Sequence, residues 1–133
     1  MNLKEIRIKV IFFLFILFSI YNYGQENKCK DMKNGTFKYT LNDYKVKITR
    51  NDDLQIEKDL ETGMEIHTLV EWTSDCEYTL TYSKVVNTSY DFSDYLGKKI
   101  YAKIISIDGN IIKVDTRSGN RSSVLEFIKI EDE

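Results

Sequence analysis

The chain has no proline, one histidine and two cysteines among 133 residues. Each shortage excludes something. Without proline, the turns must be built on glycine, asparagine and aspartate, which accept turn geometry at low cost. With His67 alone, a Ser-His-Asp triad has no identifiable partners and a catalytic thiol has no assured base. No Gly-rich phosphate loop, H-E-x-x-H helix or EF-hand loop is present. Nor is there a basic excess: the net charge of −2 argues against a nucleic-acid partner, which calls for a basic face. Acidic residues are plentiful, but Asp52-Asp53, Asp59 and Glu61 lie at turns. Paired acids there are solvated charges rather than a glycosidase dyad. The chain is therefore expected to be no enzyme, with no catalytic residue, no metal and no cofactor.

What is present begins with one apolar run. Residues 1–9 carry Lys4, Arg7 and Lys9 against Glu5, and residues 10–20 are almost wholly apolar. A charged start followed by a run of that length is a signal-peptide pattern, too short for an ordinary membrane-spanning helix. Residues 1–24 are expected to be a signal peptide, cleaved before Gln25. Residues 25–133 are then a single domain, periplasmic or secreted, with no stable membrane span. An uncleaved signal segment that anchors the protein in the membrane is the alternative. The composition, 42% hydrophobic and 30% charged, is that of a globular domain rather than a disordered one.

Past residue 34 the hydrophobic pattern has period two. Phe37, Tyr39 and Leu41 alternate with polar residues, as do Tyr44, Val46 and Ile48, then Leu54 and Ile56. Met64, Ile66, Thr68, Val70 and Trp72 follow, then Cys76, Tyr78, Leu80 and Tyr82. One face in and one face out is the mark of antiparallel sheet. Turn signals separate the runs at Asn42-Asp43, Asn51-Asp52, Thr62-Gly63, Ser74-Asp75, Asp108-Gly109 and Gly119-Asn120. The longest interval, 87–97, has room for a short helical turn capped by Ser93 or Asp94. Strands at 98–107, 110–117 and 122–130 are apolar on both faces, which predicts deeper burial. The pattern predicts strands at 35–41, 44–50, 53–60, 64–72, 76–85, 98–107, 110–117 and 121–130. The fold class is all-β: an antiparallel meander of about eight strands, as a lipocalin-like closed barrel or a half-open two-sheet barrel. A barrel of that size is filled by side chains or holds one small ligand.

Cys29 admits four readings. Lipidation asks for a small residue just before the cysteine, and Glu26, Asn27 and Lys28 do not fit. A metal site lacks any close ligand pair, and a nucleophile lacks a placed base. A disulfide with Cys76 needs an oxidising compartment and an even count, and the signal segment supplies the first. Closing a loop of about 48 residues stabilises by about 4 kcal/mol in the chain-entropy model. Three Asn-x-Ser/Thr sequons, at Asn34, Asn87 and Asn120, matter only in a host that glycosylates them.

Nine tyrosines are an unusual number. Tyr39, Trp72, Tyr78 and Tyr82 fall on expected inward faces and are the candidate ligand-binding residues; filling the core is the competing use.

Two stretches carry a resemblance. Cys29, Asp31, Lys33, Gly35 and Phe37, then Trp72, Cys76, Glu77 and Tyr78, resemble the C-x-D-x-K-x-G-x-F and W-x-x-x-C-E-Y pattern of a family of short exported proteins. The family occurs in flavobacteria and relatives, and the resemblance covers residues 29–83. Some members bear the name DNA topoisomerase IV, for which these residues offer no support. The resemblance implies export and a cysteine pair and brings no activity. The expected function is an exported, non-enzymatic barrel that binds a small ligand or a protein of the cell envelope. The alternative is a structural or protein-interaction module that uses the C-terminal meander, 98–130.

Overall fold

A computed structural model describes residues 2–41 and 43–130; for residues 15–27 the description covers the backbone alone. The expected turn at Asn42-Asp43 falls half outside the described residues. The acidic C-terminal tail lies wholly outside them, as do the side chains at the expected cleavage site.

A helix, α1 (Leu3–Lys30), leads into eight strands: β1 Gly35–Tyr39, β2 Val46–Asn51, β3 Leu54–Asp59, β4 Glu65–Trp72, β5 Glu77–Val86, β6 Lys99–Asp108, β7 Ile111–Ser118 and β8 Arg121–Ile130. Each strand pairs antiparallel with the next, and β1 pairs with both β2 and β8. The expected eight-strand meander is thus borne out in its closed form. Closure leaves no sheet edge exposed.

Short turns set the register. Asn51 pairs with Leu54, Asp108 with Ile111 and Ser118 with Arg121, leaving two-residue loops. Gly109 and Gly119 open two of these with φ of +58° and +59°, the left-handed geometry such hairpin loops require. The long β5–β6 connection contains a 3₁₀ turn at Ser93–Tyr95. Its cap is neither Ser93 nor Asp94: the Asp91 carboxylate accepts the Ser93 N–H at 2.9 Å.

Two expectations fail. Leu54 and Ile56 were to face inward, yet β3 has the opposite phase. Ile48 lies opposite Glu57 and Arg50 opposite Gln55, and directly paired residues share a face. Ile48, Arg50 and Gln55 are all buried, so the polar residues of β3 point in. The deep burial expected of 98–107, 110–117 and 122–130 is also absent. Tyr101, Ile105, Ile111 and Val124 are exposed. In a single-layered barrel nothing covers the outer face, so an apolar outer row stays in solvent.

The strand ends next to α1 form a closed floor. Cys29, fully buried, is joined to Cys76 across a Cα–Cα distance of 5.2 Å. Cys76 sits just before β5 rather than within it. Met32 is buried beneath the barrel. Lys129 Nζ donates to the Asp31 carbonyl at 2.6 Å, satisfying a helix-end carbonyl. Its side chain crosses Gly35, where a Cβ would stand 2.8 Å from Lys129 Cε. Gly35 also holds φ at +134°, a conformation L side chains rarely adopt. The floor therefore demands glycine at the entry to β1. The Asn34 side chain adds a tie by accepting the Asp52 N–H at 2.7 Å.

Candidate functional site

Inward side chains leave a cavity of about 220 Å³ inside the barrel. It runs from Met32 on the floor to Tyr39, Tyr82 and Thr116 toward the other end. Its walls are apolar, with Ile48, Leu80, Ile104, Ile112, Val114 and Phe127 among them. Alternation explains the walls: each comes from the inward parity of its strand.

Against these walls stands a connected polar chain from β2, β3, β1 and β5. Arg50 donates from Nε and Nη2 to Gln55 Oε1, at 3.0 and 2.7 Å. Its Nη2 also reaches the Tyr78 hydroxyl at 3.2 Å, and its Nη1 the Met32 carbonyl at 2.9 Å. Gln55 Nε2 donates to Glu57 Oε1 at 3.2 Å. The Tyr39 hydroxyl is hydrogen-bonded to the same carboxyl group. The guanidinium is further held over the rings of Tyr78, Phe37 and Trp72, at 4.6, 5.2 and 5.7 Å, a stabilising arrangement for a desolvated cation.

The charges in this chain are unbalanced. Arg50 forms no ion pair among the described residues, and arginine cannot shed its proton in a protein. Burial pushes the Glu57 carboxyl above its usual range, against the opposing pull of Tyr39, Arg50 and Gln55. Desolvation disfavours the charged form of a carboxyl group. Burial likewise raises Tyr39, with Glu57 adding to the effect, and Tyr82, again with Glu57 contributing.

Of the four candidates read from alternation, Tyr39, Tyr78 and Tyr82 line the cavity. Trp72 does not. It lies at the floor, packed against Tyr78 with the rings tilted by 42° and their centroids 4.6 Å apart, and is covered by Lys33 Nζ at 5.3 Å. Its Nε1 is buried without a hydrogen-bond partner among the described residues. Sequence reasoning missed Arg50, Gln55 and Glu57. A signal existed for the first: Arg50 continues the inward parity of Val46 and Ile48. A two-residue turn at Asp52-Asp53 then carries Gln55 and Glu57 inward with it.

The remaining candidates do not gather at this site. His67 pairs with Glu65 at 3.0 Å, on the face opposite Thr68 and Val70, and holds the Glu65 carboxyl below its usual range. Asp59 organises the β3–β4 turn by accepting the Glu61 and Thr62 N–H groups at 2.8 and 3.2 Å. Both cysteine sulfurs are consumed by the disulfide, so the lipid, thiolate-ligand and nucleophile readings of Cys29 fall away. Among the described residues, no group of three His, Cys, Asp or Glu side chains comes together to hold a metal ion.

Fold and site together define a closed eight-stranded barrel with an internal, partly polar cavity. No family model, curated protein or solved structure matches the chain, so a functional reading rests on this geometry.

Proposed function

We propose that the protein is exported and binds a small ligand inside its barrel, without catalysing a reaction. The observation that carries this reading is the 220 Å³ cavity with apolar walls and a few convergent polar groups, the usual make-up of a small-molecule site. The volume, about seven times the roughly 30 Å³ that a water occupies in the liquid, suits a small organic ligand. The charged start and apolar run of α1 support export, and the disulfide is compatible with an oxidising compartment. Among the described residues, no helix is long and apolar enough to cross a membrane.

The test is the fluorescence of naphthalene, a neutral apolar probe of suitable size, titrated against the mature protein. Saturable one-to-one binding is expected. Ala102 is a small buried residue in the cavity wall, so Ala102→Leu should weaken naphthalene at least tenfold while the far-UV spectrum stays unchanged. Equal binding to both proteins, or none to either, overturns the reading.

A second reading has its own support. The exposed apolar residues Tyr101, Ile111 and Val124 favour an interaction surface on the outer face of β6–β8. Association that Tyr101→Lys and Val124→Lys abolish, with naphthalene binding intact, would support it.

A further inference from the structure

We propose that the ligand is a small organic anion, a monocarboxylate with an apolar body, whose carboxylate seats against Arg50 and Tyr78. This rests on the ligand-binding reading above and names its chemical class.

Three observations converge on it. The first is a count of donors. Arg50 has five N–H groups, and the bonds to Gln55, Tyr78 and Met32 use four. One Nη1 hydrogen remains. Tyr78 accepts from Arg50, so its own hydroxyl proton is uncommitted. One Gln55 Nε2 hydrogen is uncommitted as well, the other going to Glu57. Arg50, Gln55 and Tyr78 all line the cavity, so the lower cavity offers spare donors. An anion is the ligand that uses donors only.

The second is charge. A guanidinium buried without a direct counter-ion is costly. Burial disfavours the charged form of Glu57, and Arg50 is the one cationic side chain lining the cavity. A ligand carboxylate would neutralise it, and in a low-dielectric, water-poor interior that pairing is strong. An ammonium ligand on Glu57 would instead leave the cavity with a net positive charge.

The third is shape. Above the Arg50 floor the walls supplied by Ile48, Leu80, Ile104, Ile112 and Val114 are apolar, as an alkyl or aryl body requires.

A competition within the site follows. If Glu57 ionises, it becomes the internal counter-ion of Arg50 through Gln55 and opposes an incoming carboxylate. The titratable and charged groups that face Glu57 are Tyr39 from β1, Arg50 from β2 and Tyr82 from β5. Arg50 keeps its charge throughout, and Tyr39 and Tyr82 are pushed upward, away from the neutral range. Glu57 is thus the group whose titration tunes the anion.

Octanoate, octanol and octylamine, each titrated calorimetrically and as competitors of naphthalene, test the proposal on the disulfide-intact mature protein. Octanoate is expected to bind at least tenfold more tightly than octanol or octylamine, the scale of a hydrogen bond to a charged group. Tyr78→Phe keeps the ring over Arg50 and removes the donor. It should weaken octanoate severalfold more than it weakens octanol. Octanoate affinity should fall as the pH rises through the raised Glu57 value, and Glu57→Gln should abolish that fall. Equal affinity for octanoate and octanol overturns the anion assignment while leaving ligand binding intact. Tighter octylamine binding overturns it in favour of a cation held by Glu57. Failure of naphthalene itself to bind removes both readings.

Discussion

Gln55→Met isolates what the buried polar chain contributes. Gln55 Oε1 accepts two of the four hydrogen bonds Arg50 makes, at 3.0 and 2.7 Å, and its Nε2 satisfies Glu57 at 3.2 Å. Methionine has nearly the same length and no acceptor able to hold a guanidinium. The substitution therefore keeps the packing and strands two donors on a buried cation. Hydrogen bonds to charged groups contribute about 1.5–3 kcal/mol each. Removing one partner from a buried charged pair typically costs about 3–5 kcal/mol. The single variant is expected to lose about 3–5 kcal/mol, a large share of the roughly 5–15 kcal/mol of a typical domain. The double variant Arg50→Met/Gln55→Met removes the cation as well as its acceptor. It should recover at least about 2 kcal/mol relative to Gln55→Met, because an apolar replacement of the whole group can be near neutral. Equilibrium unfolding in guanidinium chloride, with the disulfide intact and the m-value checked for constancy, measures both. A cost for Gln55→Met below about 1 kcal/mol, or strictly additive single effects in the cycle, would refute the account of Gln55 as the acceptor that makes Arg50 tolerable.

Three further outcomes are expected. Cys29→Ser/Cys76→Ser should lower stability by about 4 kcal/mol, the loop-closure value for a separation of 47 residues; an unchanged unfolding midpoint would show that the floor holds without its covalent tie. Glu57 is raised in the folded state, so its contribution to stability is full below its unfolded value of about 4.3 and is lost as pH rises through the raised folded value. Glu57→Gln should flatten that decline in a series of urea melts, and an identical slope in both proteins would count against burial as the cause. Gly35→Ala should cost about 1–3 kcal/mol from its φ of +134°, even where Lys129 swings aside, and a thermal midpoint equal to the native one would contradict this.

Much of the fold was legible in the chain. Alternation and turn residues located all eight strands to within a few residues at each end, because a one-residue slip would send every core side chain to solvent. The disulfide was expected from the cysteine count together with the expectation of export, and the cysteine pair is joined. The same alternation found Tyr39, Tyr78 and Tyr82. It failed at β3, where Leu54 and Ile56 are the apolar members and Gln55 and Glu57 the buried ones. Hydrophobicity assigns faces correctly only when the interior is apolar, and this interior is not. It failed again at β6–β8, where two apolar faces suggested two covered faces. Trp72 has inward parity, yet it comes at the end of β4, below the cavity and within the floor.

From the sequence alone came the strand periodicity, the places where the chain turns and the export-like start, all properties of neighbours along the chain, and the cysteine pairing, which a count of two allows in only one way. The tertiary structure decided whether the sheet closes, which it does through β1 meeting β8. It also decided that Met32 forms a floor, that Lys129 must pass over Gly35, and that Arg50, Gln55, Glu57 and three tyrosines meet in one cavity. Apart from those within the β2–β3 hairpin, these are contacts between residues far apart in the chain. Their physical cause is packing around a common interior: a buried arginine needs acceptors, and the barrel supplies them from the neighbouring strand, from Tyr78 on β5 and from Met32 in the floor.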